Sequence, residues 1–219
     1  MKIVNLCEHN SIVCQYLAEL RDRKIQKDSM RFRYNMERIG MYAAMEISKS
    51  LNYKETEITT PLGIAKCKTL ADKVVIASIM RAGLTLHNGV LKIFDKAENS
   101  FVAAYRKYGN NNKFLIQMEY ISKPPIEGKV LILTDCMIAT GSSLMLAYNK
   151  LIDEGEPLHT HIISSICSEA ALAYLSKQLP HKRVTLWVGA VDEELTNKAY
   201  IIPGLGDAGD LAYGEKSEK

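Results

Sequence analysis

The chain has 219 residues, 47% of them hydrophobic, and 28 Lys and Arg against 25 Asp and Glu leave a formal net charge of +3. That length and apolar content suit one α/β domain with a buried sheet and helices on both faces. So mild a charge speaks against a nucleic-acid partner, which needs a concentrated basic surface, and no apolar run is long enough to span a membrane.

In chain order, the region through about Leu51 reads as mostly helical, with apolar residues at helical spacing from Met30 to Leu51. The stretch Glu19 to Arg38 is locally basic and reads as a solvated helix pair. Ile58 to Lys66, around Pro61-Leu62-Gly63, reads as a hairpin. Strands and helices then alternate: Val74–Met80, Thr85–Phe94, Ser100–Arg106, an arm at about 105–122, Val130–Leu133, Ser142–Glu154, His161–Cys167, Glu169–Leu179 and Val184–Ala190. The arm turns at Gly109-Asn110-Asn111-Asn112 and returns from Phe114 to Ile121. This alternation predicts a mostly parallel sheet wrapped by helices, in one domain spanning residues 1–219. The N-terminal hairpin and the C-terminal loop are expected to form a small hood over the carboxyl edge of the sheet, and the charged tail from Gly214 to fray. His159 and His161 alternate at the start of a strand and are expected to face solvent. The five cysteines, Cys7, Cys14, Cys67, Cys136 and Cys167, are odd in number and contain no C-x-x-C pair. They argue against a disulfide framework or structural zinc and, with no signal peptide in view, for a cytoplasmic location.

Three turns carry the chemistry. The apolar run Val130–Leu133 empties into Thr134-Asp135-Cys136-Met137-Ile138-Ala139-Thr140-Gly141-Ser142-Ser143, an acid and a small-residue turn ahead of a helix. Backbone N–H groups at such a turn, a helix N-terminus and the hydroxyls of Thr140, Ser142 and Ser143 suit a phosphate. A plain strand-to-helix turn with good capping residues is the alternative. A nucleotide-triphosphate P-loop is not, since no Gly-Lys-Ser/Thr closes the segment. Val74–Met80 likewise ends in Arg81-Ala82-Gly83, where a guanidinium can fork onto phosphate oxygens; alone, such an arginine is more often a surface ion-pair partner. Near the C-terminus, Gly204 to Gly209 spells G-x-G-x-x-G, but too few residues follow for a dinucleotide fold. The string Tyr200-Ile201-Ile202-Pro203-Gly204-Leu205-Gly206-Asp207-Ala208-Gly209-Asp210 instead describes a rigid loop with exposed peptide groups. Peptide N–H and C=O groups can match the acceptor–donor–acceptor edge of uracil and leave cytosine mismatched.

The first string resembles the phosphoribosyl-diphosphate motif of the type I phosphoribosyltransferases, in the form used by the uracil branch. Cys136 stands where that branch has proline, and Ser142 where it has a second glycine. Serine fits there only if its φ is ordinary. The last string is nearly identical to the branch's uracil-binding loop, and Arg81-Ala82-Gly83 matches its Leu-Arg-Ala-Gly loop. Tyr105-Arg106 also matches, but the residues after it, Lys107 to Lys113, depart from the family's arm. Leu20-Arg21-Asp22 and Phe32-Arg33 match as well, without a clear chemical duty.

The resemblance implies a role for each of these residues. The segment Asp135, Cys136, Met137, Ile138, Ala139, Thr140, Gly141, Ser142 and Ser143, with Arg81, Arg106 and Asp207, binds 5-phosphoribosyl 1-diphosphate. Ile201, Gly206 and Ala208 bind uracil through their main chain, beside Asp207. Arg81, Arg106, Asp135 and Asp207 carry catalysis, and Mg²⁺ is held through the diphosphate and water, with Asp207 as a protein contact. The implied reaction is transfer of the phosphoribosyl group to uracil N1, giving UMP and diphosphate, by a homo-oligomer. Two other readings are a non-catalytic regulator on the same fold and a phosphoribosyltransferase for another base. Cys136 invites a nucleophile reading, but no histidine is near it in sequence, and a small spacer fits better.

Overall fold

The structure, a computed structural model, describes residues 1–108 and 114–216, with side chains described outside 104–119. Its elements run β1 (Lys2–Asn5), α1 (Ile12–Arg21), α2 (Ser29–Ser48), β2 (Tyr53–Thr60), β3 (Gly63–Leu70), β4 (Val74–Met80) and α3 (Gly83–Ile93). They continue with β5 (Glu98–Tyr108), β6 (Phe114–Ser122), β7 (Val130–Thr134), β8 (Met137–Ile138), α4 (Ser142–Leu151), β9 (His159–Ser168) and α5 (Glu169–Gln178). The last are β10 (Val184–Asp192), β11 (Glu194–Leu195), β12 (Ile201–Ile202) and α6 (Ala208–Tyr213).

The main sheet has the order β1-β10-β9-β7-β4-β5-β6, with β8 beside β9. Every pair in it is parallel except β5–β6. Strand period explains how β4 serves two cores. Val74 and Ile76 point into one, with α1, α2 and α3, while Val75, Ala77 and Ile79 point into the other, with α4 and α5. Helix period does the same for α2, which buries Phe32, Met36, Ile39, Ala43 and Ile47 on one stripe. Its start is set by Asp28, whose side chain accepts from the Arg31 N–H at 3.1 Å.

The alternating layout expected from sequence is therefore present, and three details differ. Four residues at the chain start form the edge strand β1, paired to β10; a run that short leaves too little pattern to read. The hairpin covers Tyr53–Leu70 rather than Ile58–Lys66, with Thr60 opposite Gly63. Both of its faces are rich in Lys, Glu and Thr, so its ends carry no apolar-to-polar switch. Among the described residues it pairs only with itself, and its base is held by Asp72, which accepts from the Asn52 N–H at 2.8 Å. His161 is buried, contrary to expectation, because β9 is covered on both faces. The Trp187 indole donates to its Nδ1 at 3.1 Å, and burial pushes the imidazole down to about 3. His159 is half-buried and pairs with the Thr185 hydroxyl at 2.9 Å. Among the described residues, no helix is long and apolar enough to cross a membrane.

Candidate active site

Because β4 and β7 are parallel neighbours with Ser78 opposite Thr134, both deliver their C-terminal turns to one edge of the sheet. The buried Thr134 hydroxyl bridges them, 3.2 Å from the Ala77 carbonyl and 3.1 Å from that of Gly83. Ligands of open α/β sheets bind at such an edge.

The turn after β7 encloses a cavity of about 140 Å³ lined by Asp135, Met137, Ile138, Ala139, Thr140, Gly141, Ser143 and Leu144 of this segment, with Ile79 from β4. Gly141 is the N-cap of α4 at φ +78°, so this is the position that demands glycine. Ser142 follows as the first helical residue, and among the described non-glycine residues only Ala199 has a positive φ. Serine at 142 is therefore unstrained. Its N–H reaches the Thr140 hydroxyl at 3.3 Å. Asp135 is half-buried at the cavity wall, and desolvation pushes its carboxyl up to about 7 against the lowering effect of the Met137 and Cys136 N–H groups. Cys136 turns away into the core. Its thiol lies 3.5 Å from the Met36 sulfur, its carbonyl accepts from the hydroxyls of Ser164 and Ser165, and burial drives its pKa upward. A protonated, enclosed thiol is no nucleophile.

Arg81 follows a cis Met80–Arg81 peptide and points at the C-terminal segment. Nη2 reaches Asp210 Oδ1 at 2.8 Å and Nη1 the Gly214 carbonyl at 3.2 Å, while the buried Nε has no partner among the described residues. Asp207 caps α6 by accepting from the Asp210 N–H at 3.1 Å. A methyl group placed on Gly209 would sit 3.2 Å from both Arg81 Nη2 and Asp207 Oδ1, so the two charged groups flank one point. Asp207 is also close enough to Cys136 for its charge to help raise that thiol's pKa. The turns after β4 and β7 are thus joined through Thr134 and Gly83, and the C-terminal loop meets them through Asp210 and Arg81. Within the loop, Ile201 pairs with Leu195 across β11 and β12, Gly206 is exposed at φ +91°, and Ala208 opens α6. The Arg106 side chain, those of Lys107 and Lys113, and the arm tip at 109–113 lie outside the described residues.

Two groups tie the loop down that sequence reading did not single out. Asp192, the last residue of β10, is 6% exposed and takes a two-pronged bond from Arg21 at 2.7 and 2.9 Å. Asp210 holds Arg81, as above. An acid ending a buried strand at the ligand edge was the available signal for Asp192; for Asp210 there was only its place at the end of the loop string.

The match to a family model decides the relationship: residues 7–215 match the one described as uracil phosphoribosyltransferase. The chain belongs to the uracil phosphoribosyltransferase family. A uracil phosphoribosyltransferase from Porphyromonas gingivalis is 49% identical over 216 residues, covering 99% of this chain and 100% of that protein. One from Methanothermobacter thermautotrophicus is 35% identical over 211 residues, covering 95% and 94%. Among solved structures, the AQ2163 protein from Aquifex aeolicus superposes with a TM-score of 0.85 at 28% identity, covering 97% of this chain and 98% of that one. The parallel sheet with helices on both faces is accordingly the phosphoribosyltransferase fold of type I, and the chain is an enzyme of the pentosyltransferase class.

Proposed function

We propose that this protein transfers the phosphoribosyl group of 5-phosphoribosyl 1-diphosphate to N1 of uracil, giving UMP and diphosphate, as a pyrimidine-salvage enzyme. The observation that carries the reading is that Arg81 and Asp207 flank one point while Thr134 ties the start of the Asp135–Ser143 turn to Gly83 beside Arg81, at one sheet edge in a chain of this family. The cavity at 135–144 suits the 5′-phosphate: N–H groups at the start of α4 and the hydroxyls of Thr140, Ser142 and Ser143 supply donors without a competing acid beyond Asp135. Asp135 holds the ribose hydroxyls, accepting from them once ionised. Arg81 and Arg106 grip the diphosphate through their guanidinium groups. Ile201, Gly206 and Ala208 present peptide groups to the base.

Breaking the C1–O bond builds cationic character on the ribose and negative charge on the departing diphosphate. Arg81 and Arg106 stabilise that growing charge, and the base loop aims N1 at C1, so rate comes from positioning and electrostatics rather than a covalent intermediate. Mg²⁺, which keeps several waters and phosphate oxygens in its shell, fits a site that offers Asp207 as its protein contact; bound there, it would neutralise diphosphate charge. Assembly into a homodimer or larger oligomer belongs to the same proposal and is supported by the hairpin β2–β3, where Leu62 and Ile64 stand 99% and 70% exposed. So does a cytoplasmic location, in keeping with five free thiols.

A coupled assay with uracil, cytosine, hypoxanthine and guanine tests the function. Turnover of uracil alone is expected. Turnover of a purine would move the protein to another base, and no turnover of any base would favour a regulator on the same fold.

A further inference from the structure

The C-terminal loop is gripped through both backbone polar groups of one residue, Gly204. Asp192 Oδ2 accepts from the Gly204 N–H at 2.9 Å, and Arg21 Nη1 donates to the Gly204 carbonyl at 3.1 Å while also bonding Asp192 at 2.9 Å. Both polar groups of a single residue are thus read by one ion pair. Gly204 suits such a grip: its φ is +56°, and a Cβ there would come within 2.2 Å of the Ile201 carbonyl oxygen. Gln26 approaches from the same side, its amide donating to the carbonyls of Leu20 and Arg21 and lying 3.8 Å from where a Gly206 side chain would begin. The Asp192 carboxylate is almost fully enclosed, so its pairing with Arg21 is weakly screened and strongly directional.

Resting on the reading of this loop as the base site, we propose that Arg21 and Asp192 are positioning residues for base selection, fixing the Ile201–Ala208 peptide groups through Gly204. Neither side chain is needed to touch the base. Displacing a recognition group by about 1 Å costs on the order of a hundredfold in rate, and Gly204 is the tethered residue that lies between Ile201 and Gly206, so the loss of its anchor is passed to both. The contact between Arg81 and Asp210 lies beyond Ala208 and uses neither Arg21 nor Asp192, so damage to the Gly204 anchor should leave Arg81 in place and fall on one substrate.

Steady-state kinetics with each substrate varied, on the parent chain, Asp192→Asn and Arg21→Lys, test this. Asp192→Asn keeps the shape but loses the charge that pairs with Arg21. It is expected to raise KM for uracil at least tenfold, to narrow the preference for uracil over cytosine, and to change KM for 5-phosphoribosyl 1-diphosphate less than threefold. Arg21→Lys keeps the charge without the fork and is expected to fall between parent and Asp192→Asn. Unchanged uracil KM in a parent that turns over uracil would overturn the proposal. So would equal rises in both KM values, or loss of folded protein in both variants, since each would make the pair a general support. A parent inactive with uracil would instead sink the underlying functional reading.

Discussion

The turn at 135–143 and the loop at 200–214 meet at the same sheet edge but are held by different means. The first hangs between β7 and α4, with one left-handed glycine at 141, and leans on a single neighbouring strand, β9, which pairs with β8 inside the turn and donates from Ser164 and Ser165 to the Cys136 carbonyl. The second has only the two-residue strand β12 and the six-residue α6 to stiffen it. Its rigidity comes from side chains remote in sequence: Arg21 reaches Gly204 across 183 residues, Arg33 reaches the Ala212 carbonyl at 2.7 Å across 179, and Arg81 reaches Asp210 across 129. A phosphate site can be encoded locally because helix starts and strand ends already present donors. A loop made mostly of turns has no such local support and has to be braced from elsewhere in the fold.

Arg81→Ala attacks both halves at once and should have the largest effect. Losing one preorganised donor to developing charge is expected to lower kcat/KM for 5-phosphoribosyl 1-diphosphate by about 10²–10³-fold. Because the same change also frees Asp210, uracil KM should rise by a smaller factor. Initial-rate kinetics separate the two effects, and parent-like values for the diphosphate substrate would remove Arg81 from the site.

Asp135→Asn probes the locally built half through pH. The Asp135 carboxyl is lifted from 3.8 to about 7 in the folded chain. It is neutral in both states below about pH 4, so it imposes no penalty there; as pH rises toward 7 the folded state increasingly resists its ionisation, and the penalty is complete above 7. At about 1.4 kcal/mol per pKa unit, the scale is a few kcal/mol. The asparagine variant should therefore melt higher than the parent at pH 8, with the gap closing toward pH 4, yet bind the ribosyl substrate more weakly. Melting curves that run parallel at all pH values would contradict the burial of this carboxyl.

Gly141→Ala should cost about 1–2 kcal/mol from the left-handed backbone alone. The new methyl would also crowd the Tyr174 ring at 3.0 Å and the Leu175 side chain at 3.2 Å. Urea unfolding measures the loss, and a neutral result would mean that the turn is less constrained than its dihedral indicates. The smallest effect is expected for Ser142→Gly. With an ordinary φ at 142, activity should stay within about tenfold and stability should fall by no more than about 1 kcal/mol. A large gain in activity would show that serine distorts the phosphate turn.

The same contrast explains what could be read in advance. The turn at 135–143 was legible because strand, acid, small residues and helix follow one another in a short span. The left-handed residue in it, Gly141 rather than 142, was not, since two adjacent small residues look alike until the chain is folded. In the C-terminal loop the string itself was visible, but Asp192 as its anchor was not. It sits at the end of β10 like any strand-terminal acid, and only the fold sets Arg21 opposite it. His161 was misread for a related reason: a strand's register says which residues share a face but not whether a helix covers that face.

By itself, the sequence determined the alternation of strands and helices, the three chemically distinctive turns and their order, because these depend on residues adjacent along the chain. Tertiary structure decided which distant charges hold the C-terminal loop, which carboxyl is desolvated and which histidine is enclosed. Those depend on burial and on pairings between residues more than a hundred positions apart, where dielectric and geometry exist only once the sheet has closed around them.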